Sequence, residues 1–551
     1  MSRDAGGLRT SRGAALGTVL CVLFLTFLDT TIVSVTLGDL ENEVSAGVIP
    51  LQWVINGYAL VFASLMLLGG TLGDRFGRRR VMLGGMVVFA IGSVMCAVAG
   101  GVGLVIGGRA VMGIGAAASE PGTLSVIRQL YPERAQRARA LGAWSAVSGL
   151  ALALGPVIGG VLVGAGGWRN VFWFNLAVTV LLVAAVARWV PESRDEQSGG
   201  LDFAGFALST AGLGCVIYAA IAGEYKGYGT SWIIALFIIG GLCLIAFVPV
   251  ELRVPQPMLN LSYIRKPIVG VALFAAFAVY FSVFAIFFFT ALYLDIAQNY
   301  SGLRLAGMFA PMAAAIVAGG LVTGRWVARI GSRTPMITGC GIAAVGMLLA
   351  RFELGKGPDL TFALLALALA LAGLGFGVTV VPLTSAVLSH VPSRHSGMAA
   401  SATNTARQLG AVFGVAALGA VINSHLITGV DDYIKATGLV RGPARALRKT
   451  VLSILETGGH ADSFDINNLP KSVQTTVFPA FLHGVQLSLV VALVLVVLAG
   501  LAAAAVREPA PTDEAEDAPP DATGPRPRPG PVASDVDRLD RGRLGAAEHG
   551  Q

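Results

Sequence analysis

Charged side chains are scarce in this chain. Only 13% of its 551 residues are Asp, Glu, Lys or Arg, whereas 55% are hydrophobic. Soluble globular domains carry about 25% charged residues, so half that share over such a length indicates that lipid is the main solvent. The net charge is +7, but the basic residues lie in short loops between apolar runs. We therefore predict a membrane protein and expect no nucleic-acid partner.

The sequence lacks metal-type cysteine spacings, histidines in the middle of the spans and a phosphate-binding loop. The five cysteines lie inside apolar runs without CxxC or metal-type spacing, so we expect neither a disulfide framework nor a metal site. None of the six histidines falls near the middle of a predicted span. No G-x-x-x-x-G-K-[ST] loop occurs. We therefore expect no enzyme activity and no cofactor, and an ATP-driven pump would need a separate subunit.

Apolar runs long enough to cross a bilayer recur along the chain. A span needs about 20 apolar residues. The first run contains Asp29 and is too long for the core of a signal peptide, so we expect it to be a retained span. We predict fourteen spans, near 14–37, 51–72, 81–99, 103–126, 140–165, 170–190, 203–223, 231–250, 267–294, 304–328, 335–352, 360–389, 397–424 and 481–506.

Basic residues are distributed unevenly between alternate short loops. One set of loops holds 17 Lys and Arg residues and the other set holds 5. Because basic loops stay in the cytoplasm, an even number of spans predicts that both termini are cytoplasmic. The polar segment 425–480 is then a long external loop. Residues 507–551, rich in Pro, Asp, Ala and Arg, are expected to be a disordered cytoplasmic tail.

One charged stretch between apolar runs is repeated. GTLGDRFGRR begins at Gly70, and a degenerate copy, GRWVARIGSR, begins at Gly324, 254 residues later. Both copies have glycines seven residues apart, but the second has Ala328 where the first has Asp74. An offset close to half the chain predicts two related halves, as in transporters built from internal repeats.

The first copy resembles the loop motif G-x-L-[AG]-D-[RK]-x-G-[RK]-[RK] of the major facilitator superfamily. Other stretches resemble its fourteen-span drug:proton antiporter branch, the QacA and EmrB type: LDTTIV (28–33), WVINGY (53–58), RAVMGIG (109–115), GPVIGG (155–160), WRNVFWFN (168–175) and NTARQLG (404–410). The resemblance covers roughly residues 14–506. It implies an all-α membrane protein with the major facilitator fold, whose fourteen transmembrane helices form a six-helix bundle (14–190), two inserted central helices (203–250) and a second six-helix bundle (267–506).

Three ionisable residues of the first half lie deep inside predicted spans: Asp29, Arg109 and Glu120. A charge at mid-bilayer costs about 3 to above 10 kcal/mol, so each needs a reason. At 1.5 Å per residue, Asp29 and Arg109 lie within about 3 Å of the same depth, and Glu120 lies on the Arg109 face. We expect Arg109 to tune the proton affinity of Asp29 in a shared cavity; a fixed ion pair is the alternative. Glu120 is a candidate second proton or cation site, unless a basic residue such as Arg128 neutralises it.

The resemblance assigns a cytoplasmic gate to the first motif copy. In the family this loop latches the two halves, which implies such a role for Gly70, Asp74, Arg75, Gly77 and Arg78. Asp74 could accept charge-assisted hydrogen bonds from a helix N-terminus or a nearby arginine. A plain topology anchor is the alternative, and it explains the arginines from Arg78 onward better than it explains Asp74.

Further positions come from the resemblance. Gly155, Pro156 and Gly159 fall on the antiporter helix, which seals the cavity against ion leak in related proteins; close helix packing is the alternative. Arg407 and Gln408 are candidates for a gate or substrate contact in the second half, with a structural role equally open. The nine aromatic residues of the ninth run, between Phe274 and Tyr293, are expected to face lipid rather than a substrate.

The resemblance implies a proton-coupled efflux transporter that exports lipophilic, often cationic drugs or antibiotics by alternating access. Its partners would be small-molecule substrates, protons and lipid, and it would act as a monomer in a bacterial cytoplasmic membrane. The alternative is a dedicated exporter of a single self-made metabolite or antibiotic. A nutrient importer on the same fold is disfavoured by the antiporter motif.

Overall fold

The computed structural model describes residues 12–44, 48–194, 202–255, 257–296, 298, 300, 302–437 and 471–506. Within these residues the chain is helical and has no strand. Fourteen helices are long and apolar enough to cross a membrane, as predicted. They are α1 (Arg12–Ile32), α2 (Val48–Phe76), α3 (Arg78–Ala97), α4 (Val102–Leu130), α5 (Arg134–Gly166), α6 (Arg169–Trp189), α7 (Phe203–Lys226), α8 (Ser231–Glu251), α9 (Pro267–Ile296), α10 (Gly302–Ile330), α11 (Arg333–Leu354), α12 (Phe362–His390), α13 (Ser396–Thr437) and α14 (Lys471–Ala505).

The two copies of the repeated motif fold alike. The glycine that follows α2, Gly77, has a φ of +107°, and the glycine that follows α10, Gly331, has a φ of +84°. A side chain would be strained at either position, whereas glycine adopts this conformation readily. Both helices therefore end in the same kind of tight turn. We call the end of the bundle that holds these turns, at residues 77, 131–133, 331–332 and 391–395, the basic end.

Two helix pairs form the most extensive packing between the first six helices and the last six. α2 packs on α13, and α5 packs on α10. Under the repeat, α2 corresponds to α10 and α5 corresponds to α13, so the two pairs are equivalent contacts. A Cβ on Gly70 would collide with the carbonyl oxygen of Gly397, and a Cβ on Gly324 would lie 2.6 Å from the carbonyl oxygen of Ala138. The first glycine of each motif copy therefore lets the backbones of the two halves touch.

The inserted helices α7 and α8 lie beside the α2–α13 seam. α7 packs against α8, α2 and α13. The ring of Tyr218 in α7 stacks on Trp53 of α2 at a centroid distance of 5.1 Å. The Tyr228 hydroxyl, after α7, donates to the Ala416 carbonyl of α13 at 3.1 Å. α8 exposes a row of large apolar side chains, as a lipid-facing helix does: Ile234, Ile238, Ile239, Leu242, Ile245 and Val248.

The prediction of a loop over residues 425–480 is wrong at both ends. α13 continues to Thr437 and α14 begins at Lys471. The reason is packing: Leu426 and Val430 are buried on one face of the continuing helix, while its other face is polar. Residues 438–470, and the tail predicted at 507–551, lie outside the described residues.

Candidate functional site

Asp29, Arg109 and Asn175 form a buried polar cluster among α1, α4 and α6. Arg109 Nη1 donates to Asp29 Oδ2 at 2.5 Å, and Asn175 Nδ2 donates to Asp29 Oδ1 at 2.7 Å. All three side chains are buried. The equal depth predicted for Asp29 and Arg109 thus corresponds to a direct ion pair. Asn175 was not singled out, although it ends the WRNVFWFN stretch that carries the family resemblance.

Arg109 is held by more than the carboxylate. Its Nε donates to the backbone carbonyl of Val54 at 3.0 Å, and its guanidinium lies 4.3 Å from the ring centroid of Tyr58. A guanidinium that binds a carboxylate and a carbonyl through two different nitrogens, with an aromatic face beneath it, is a site that lysine cannot reproduce. Breaking a buried pair by removing one partner costs about 3–5 kcal/mol, because the other charge stays buried. The cluster therefore ties α1 to α2 and α4 for as long as Asp29 is ionised.

Glu120 lies farther along α4, toward the basic end. It is 1% exposed, and its Oε2 has no hydrogen-bond partner among the residues that the structure describes. Its strongest interaction with a charged group is with Arg407 of the second half, not with Arg128 as the alternative reading predicted. A buried carboxylate with an unused oxygen is costly, so Glu120 stays a candidate site for a proton or a cation.

Arg407 of α13 faces the first half. Its Nη1 donates to Asn404 Oδ1 at 2.8 Å, and its Nη2 donates to Thr384 Oγ1. Its guanidinium lies 4.7 Å from the ring centroid of Trp144 in α5 and 5.5 Å from that of Tyr280 in α9. The adjacent Gln408 is half-buried and makes no hydrogen bond with a described residue. Of these two neighbouring residues, Arg407 therefore contacts the first half, whereas Gln408 shows no comparable contact among the described residues.

Two aromatic residues contact Arg407: Trp144, which the sequence analysis did not single out, and Tyr280, which was expected to face lipid. Trp144 is 1% exposed, donates its Nε1–H to Thr123 Oγ1 at 3.1 Å, and packs edge-on against Phe27. Tyr280, Phe281, Phe289 and Tyr293 are buried, so the prediction that the aromatics of α9 face lipid is wrong for these four, although Phe288 is 44% exposed. A lone tryptophan in a span of mostly small residues was the available signal for Trp144.

The basic end carries the contact predicted for Asp74. Its Oδ1 accepts the Gly397 N–H and its Oδ2 accepts the Met398 N–H, both at 2.9 Å. These are among the first N–H groups of α13, which lack partners inside the helix and lie at its positive end. Arg78 Nη2 also donates to Asp74 Oδ1 at 2.9 Å. Both predicted kinds of donor, a helix N-terminus and an arginine, are therefore present together.

Arg78 belongs to this contact, so the topology anchor does not account for it. Its side chain is buried, and it donates to the carbonyls of Ser393 and Arg394 at 3.1 and 3.3 Å. Arg75 differs: its guanidinium lies 5.2 Å from the ring centroid of Phe76, on its own helix. Within the described residues, the motif thus joins the two halves through Asp74 and Arg78.

The predicted antiporter helix, α5, packs closely on α1. A Cβ on Gly155 would collide with Thr31, and a Cβ on Gly159 would lie 2.8 Å from the carbonyl oxygen of Ile32. The Thr31 hydroxyl donates to the Leu152 carbonyl at 3.2 Å. Pro156 lies on the opposite, exposed face. The small residues therefore place α5 against α1 three residues from Asp29.

No described group of three His, Cys, Asp or Glu side chains is arranged to hold a metal ion. The chain is 30% identical to the Multidrug resistance protein Stp of Mycobacterium tuberculosis over 75% of this chain and 76% of that protein. It is 32% identical to the Methylenomycin A resistance protein of Bacillus subtilis over 76% of this chain and 91% of that protein. The structure of the human organic anion transporter MFSD10 (TETRAN) aligns with a TM-score of 0.57 at 17% identity, covering 81% of this chain and 98% of that one.

The internal repeat, the paired helices that join its halves and the fourteen spans describe a two-halved transporter architecture. Residues 19–415 match the sequence profile of the Major Facilitator Superfamily, which is more than half of the chain. The chain belongs to the Major Facilitator Superfamily.

Proposed function

We propose that this protein is a proton-coupled exporter of lipophilic, often cationic drugs or antibiotics, working by alternating access. The observation that carries the proposal is Asp29, which is wholly buried inside α1 and shared between Arg109 and Asn175. A buried carboxylate is kept for function more often than for stability in a membrane. The names of the relatives, multidrug resistance and methylenomycin A resistance, support the substrate class.

Proton binding at Asp29 would act through α1. Neutralising Asp29 removes its attraction for Arg109 and leaves Arg109 with the Val54 carbonyl and the Tyr58 ring. α1 is then free to move relative to α4. Because α1 is packed on Gly155 and Gly159 of α5, the movement reaches the helix that contacts α10 of the second half. Proton binding is thereby connected to the interface between the halves.

The substrate would bind between Glu120, Trp144, Tyr280 and Arg407, which come from both halves. Trp144 and Tyr280 offer ring faces, and Glu120 offers a carboxylate oxygen without a described donor. Aromatic faces attract cations at about 0.5–2 kcal/mol each. The Arg407 guanidinium lies over both rings in this structure. A lipophilic cation would displace it from the rings, and Arg407 would keep its hydrogen bonds to the Asn404 and Thr384 oxygens.

We assign the basic end to the cytoplasm, because basic loops are retained there. The Asp74 and Arg78 contacts with the start of α13 would close the protein on that side and would break when it opens inward. Residues 14–190 and 267–506 would be the two moving bundles, acting within one monomer, and 203–250 would accompany the α2–α13 seam. Both termini would be cytoplasmic in a bacterial cytoplasmic membrane.

The driving force is sufficient for strong efflux. One charge moving through 100 mV supplies about 2.3 kcal/mol. One pH unit adds about 1.4 kcal/mol, so one proton can support a gradient of several hundred-fold.

A dedicated exporter of one antibiotic is the second candidate, because one relative is named for methylenomycin A alone. Both candidates are tested in inverted membrane vesicles that hold a pH gradient, acid inside. Compounds from a panel of lipophilic cations and antibiotics are added, and proton release is followed. Release with many compounds indicates a multidrug exporter, and release with one compound indicates a dedicated exporter.

Asp29→Asn should abolish the release while the protein stays in the membrane. The matched control is Asp39→Asn, the same change at an exposed aspartate in the short helix Leu37–Val44 that follows α1. Substrate movement without proton release, in the unmodified protein, would refute proton coupling. Equal release by the two variants would refute the role of Asp29.

A further inference from the structure

A second pair of carboxylates lies at the basic end, where the two inserted helices meet. Asp202 caps α7: its Oδ1 accepts the Gly205 N–H at 2.7 Å. Glu251 is the last residue of α8, and its Oε2 accepts the Leu259 N–H at 3.1 Å. The remaining oxygens, Asp202 Oδ2 and Glu251 Oε1, both lie within 2.7 Å of the point where a Cβ on Gly205 would stand. The two carboxyl groups therefore face each other across one space.

These two oxygens have no other partner among the described residues. Asp202 is 8% exposed and Glu251 is 3% exposed. Neither Oδ2 of Asp202 nor Oε1 of Glu251 has a hydrogen-bond donor among the residues that the structure describes. Two ionised carboxylates in contact repel each other strongly away from water, so one of such a pair keeps a proton. The proton supplies the missing donor and satisfies both oxygens.

Among the described residues, the helices around the pair carry no competing cation at this end. α7 and α8 carry no other charged side chain at this end, and neither do the first eleven residues of α13. The charged group that interacts most strongly with Glu251 is Asp202. The other charged side chains on the described packed elements are Asp74 and Arg75 of α2 and the exposed Arg253, Arg265 and Lys266 of the segment after α8.

We propose that Asp202 and Glu251 form a proton-binding site that holds one proton between Oε1 and Oδ2, separate from Asp29. The helix ends decide which group carries it. Glu251 lies at the negative C-terminus of α8, which favours a proton on its carboxyl group, whereas Asp202 accepts the Gly205 N–H at the start of α7 and presents its other oxygen to Glu251. Glu251 is therefore the donor and Asp202 the acceptor.

The site is connected to the contact between the halves by consecutive hydrogen bonds. Glu251 accepts the N–H of Leu259, and the next residue, Asn260, donates its N–H to Met398 Sδ at 3.2 Å. Met398 donates its own N–H to Asp74 Oδ2. Met258 is packed with Leu67 of α2 and Phe247 of α8 in one small apolar cluster. A shift of Glu251 away from Asp202 would therefore pull on the start of α13.

The consequence for gating follows from charge. Opening the basic end would draw Glu251 away from Asp202 through the Leu259 and Asn260 contacts, so the closed form binds the proton more tightly. Its stability is then present at low pH and is lost as pH rises and the proton leaves. The opening equilibrium should change about tenfold per pH unit for one linked proton. This consequence rests on the proposed function, in which the basic end opens toward the cytoplasm; the proton site itself does not.

Infrared difference spectroscopy between acidic and alkaline pH tests the site. The protein is reconstituted in lipid discs with Asp29→Asn and Glu120→Gln, so that the central carboxyl groups contribute no signal. We expect a carbonyl band of a protonated carboxyl that titrates with pH and disappears in Glu251→Gln. Asp202→Asn should shift its titration to lower pH by about one unit or more, because the neighbouring charge is gone. Glu133→Gln, at an exposed glutamate, is the control.

A band that Glu251→Gln leaves unchanged would overturn the proton site. The test does not depend on transport, so failure of proton-coupled export leaves it standing. Correct folding of each variant is checked by its elution as a single species in detergent.

Hydrogen exchange of the 396–402 segment, corrected for the intrinsic rate at each pH, tests the connection. Exchange should rise about tenfold per pH unit above the titration in the unmodified protein. It should be independent of pH in Glu251→Gln, which keeps a donor toward Asp202 and an acceptor for Leu259. Gly205→Ala, which wedges the two oxygens apart, should give fast exchange at every pH. The same pH dependence in Glu251→Gln as in the unmodified protein would refute the connection.

Discussion

The carboxylate of Asp74 in α2 accepts a 2.9 Å hydrogen bond from the backbone N–H of Met398, 324 residues later in the chain. The bond joins the end of one helix in the first half to the start of another in the second half. It is charge-assisted, it uses an N–H that the helix itself cannot satisfy, and it is buried.

Asp74→Asn should loosen the basic end. The amide keeps one acceptor oxygen but turns an NH2 group toward an N–H donor, and hydrogen bonds to a charged group contribute about 1.5–3 kcal/mol. Ser401 is buried under Gly70 at this contact. In a background without native cysteines, we expect Ser401→Cys to react with a permeant maleimide about tenfold faster when Asp74→Asn is present. Asp359→Asn, at an exposed aspartate, should leave the rate unchanged.

Arg78→Gln and Arg80→Gln separate a latch from a topology anchor. Arg78 has a side chain only 7% exposed and is paired with Asp74, so its loss leaves a buried carboxylate and should cost about 3–5 kcal/mol. Arg80 is 73% exposed and lies 3.7 Å from Glu192, so its loss should cost less than about 1 kcal/mol. The measurement is the denaturant midpoint in detergent. Equal losses of stability would mean that the buried contacts of Arg78 contribute little.

Asp29→Asn and Arg109→Gln should each destabilise the protein, and the double variant should lose less stability than the sum of the two single losses. Each single change leaves one buried charge without its partner, at about 3–5 kcal/mol, whereas the double change leaves none. A double-mutant cycle on the unfolding free energy measures the difference. Additive effects would show that the 2.5 Å pair does not act as one unit.

Arg407→Gln should tighten the binding of lipophilic cations. The change removes the cation that lies over Trp144 and Tyr280 and leaves Glu120 to attract another. From cation–π energies we expect an increase in affinity of about two- to thirtyfold, read from quenching of tryptophan fluorescence. Glu120→Gln should weaken the binding of cations but not of neutral drugs. Gln408→Ala is the matched control, and a gain there of equal size would place the effect outside the ring faces.

Glu43 should make stability depend on acid pH. Hydrogen bonds from Arg169 and Trp168 lower the pKa of Glu43, which lies beyond the end of the first span. A carboxyl whose pKa is lowered on folding stabilises the protein above its unfolded pKa, about 4.3, and this stabilisation is lost as pH falls through the lower folded value. The melting temperature of Glu43→Gln should therefore lie below that of the unmodified protein at pH 7 and approach it below pH 4. Asp39→Asn should show no such convergence.

Much of the fold could be predicted because lipid imposes simple rules. A span needs a certain length of apolar chain, and each of the fourteen predicted spans corresponds to a helix. The depth of a residue follows from a rise of 1.5 Å per residue, which is why Asp29 and Arg109 were expected to meet. The sequence also shows the two glycines of each motif copy, and in both copies the second glycine forms a positive-φ turn.

The rest depends on how helices rotate and pack. No spacing rule places Arg407 over Trp144 and Tyr280, because the three lie on three helices of two halves. Arg78 resembles its exposed neighbours in sequence, and only the fold buries it against α13. The same holds for Asp202 and Glu251, whose oxygens share one space although 49 residues separate them.

The sequence by itself therefore determined the solvent, the number of spans, the twofold repeat and the depth of the buried charges, since these follow from composition and distance along a helix. The tertiary structure alone decided which charges face each other, where the inserted helices lie and which arginine holds the halves together. Those outcomes are set by contacts between segments far apart in the chain, whose free energies depend on burial and partner geometry rather than on local pattern.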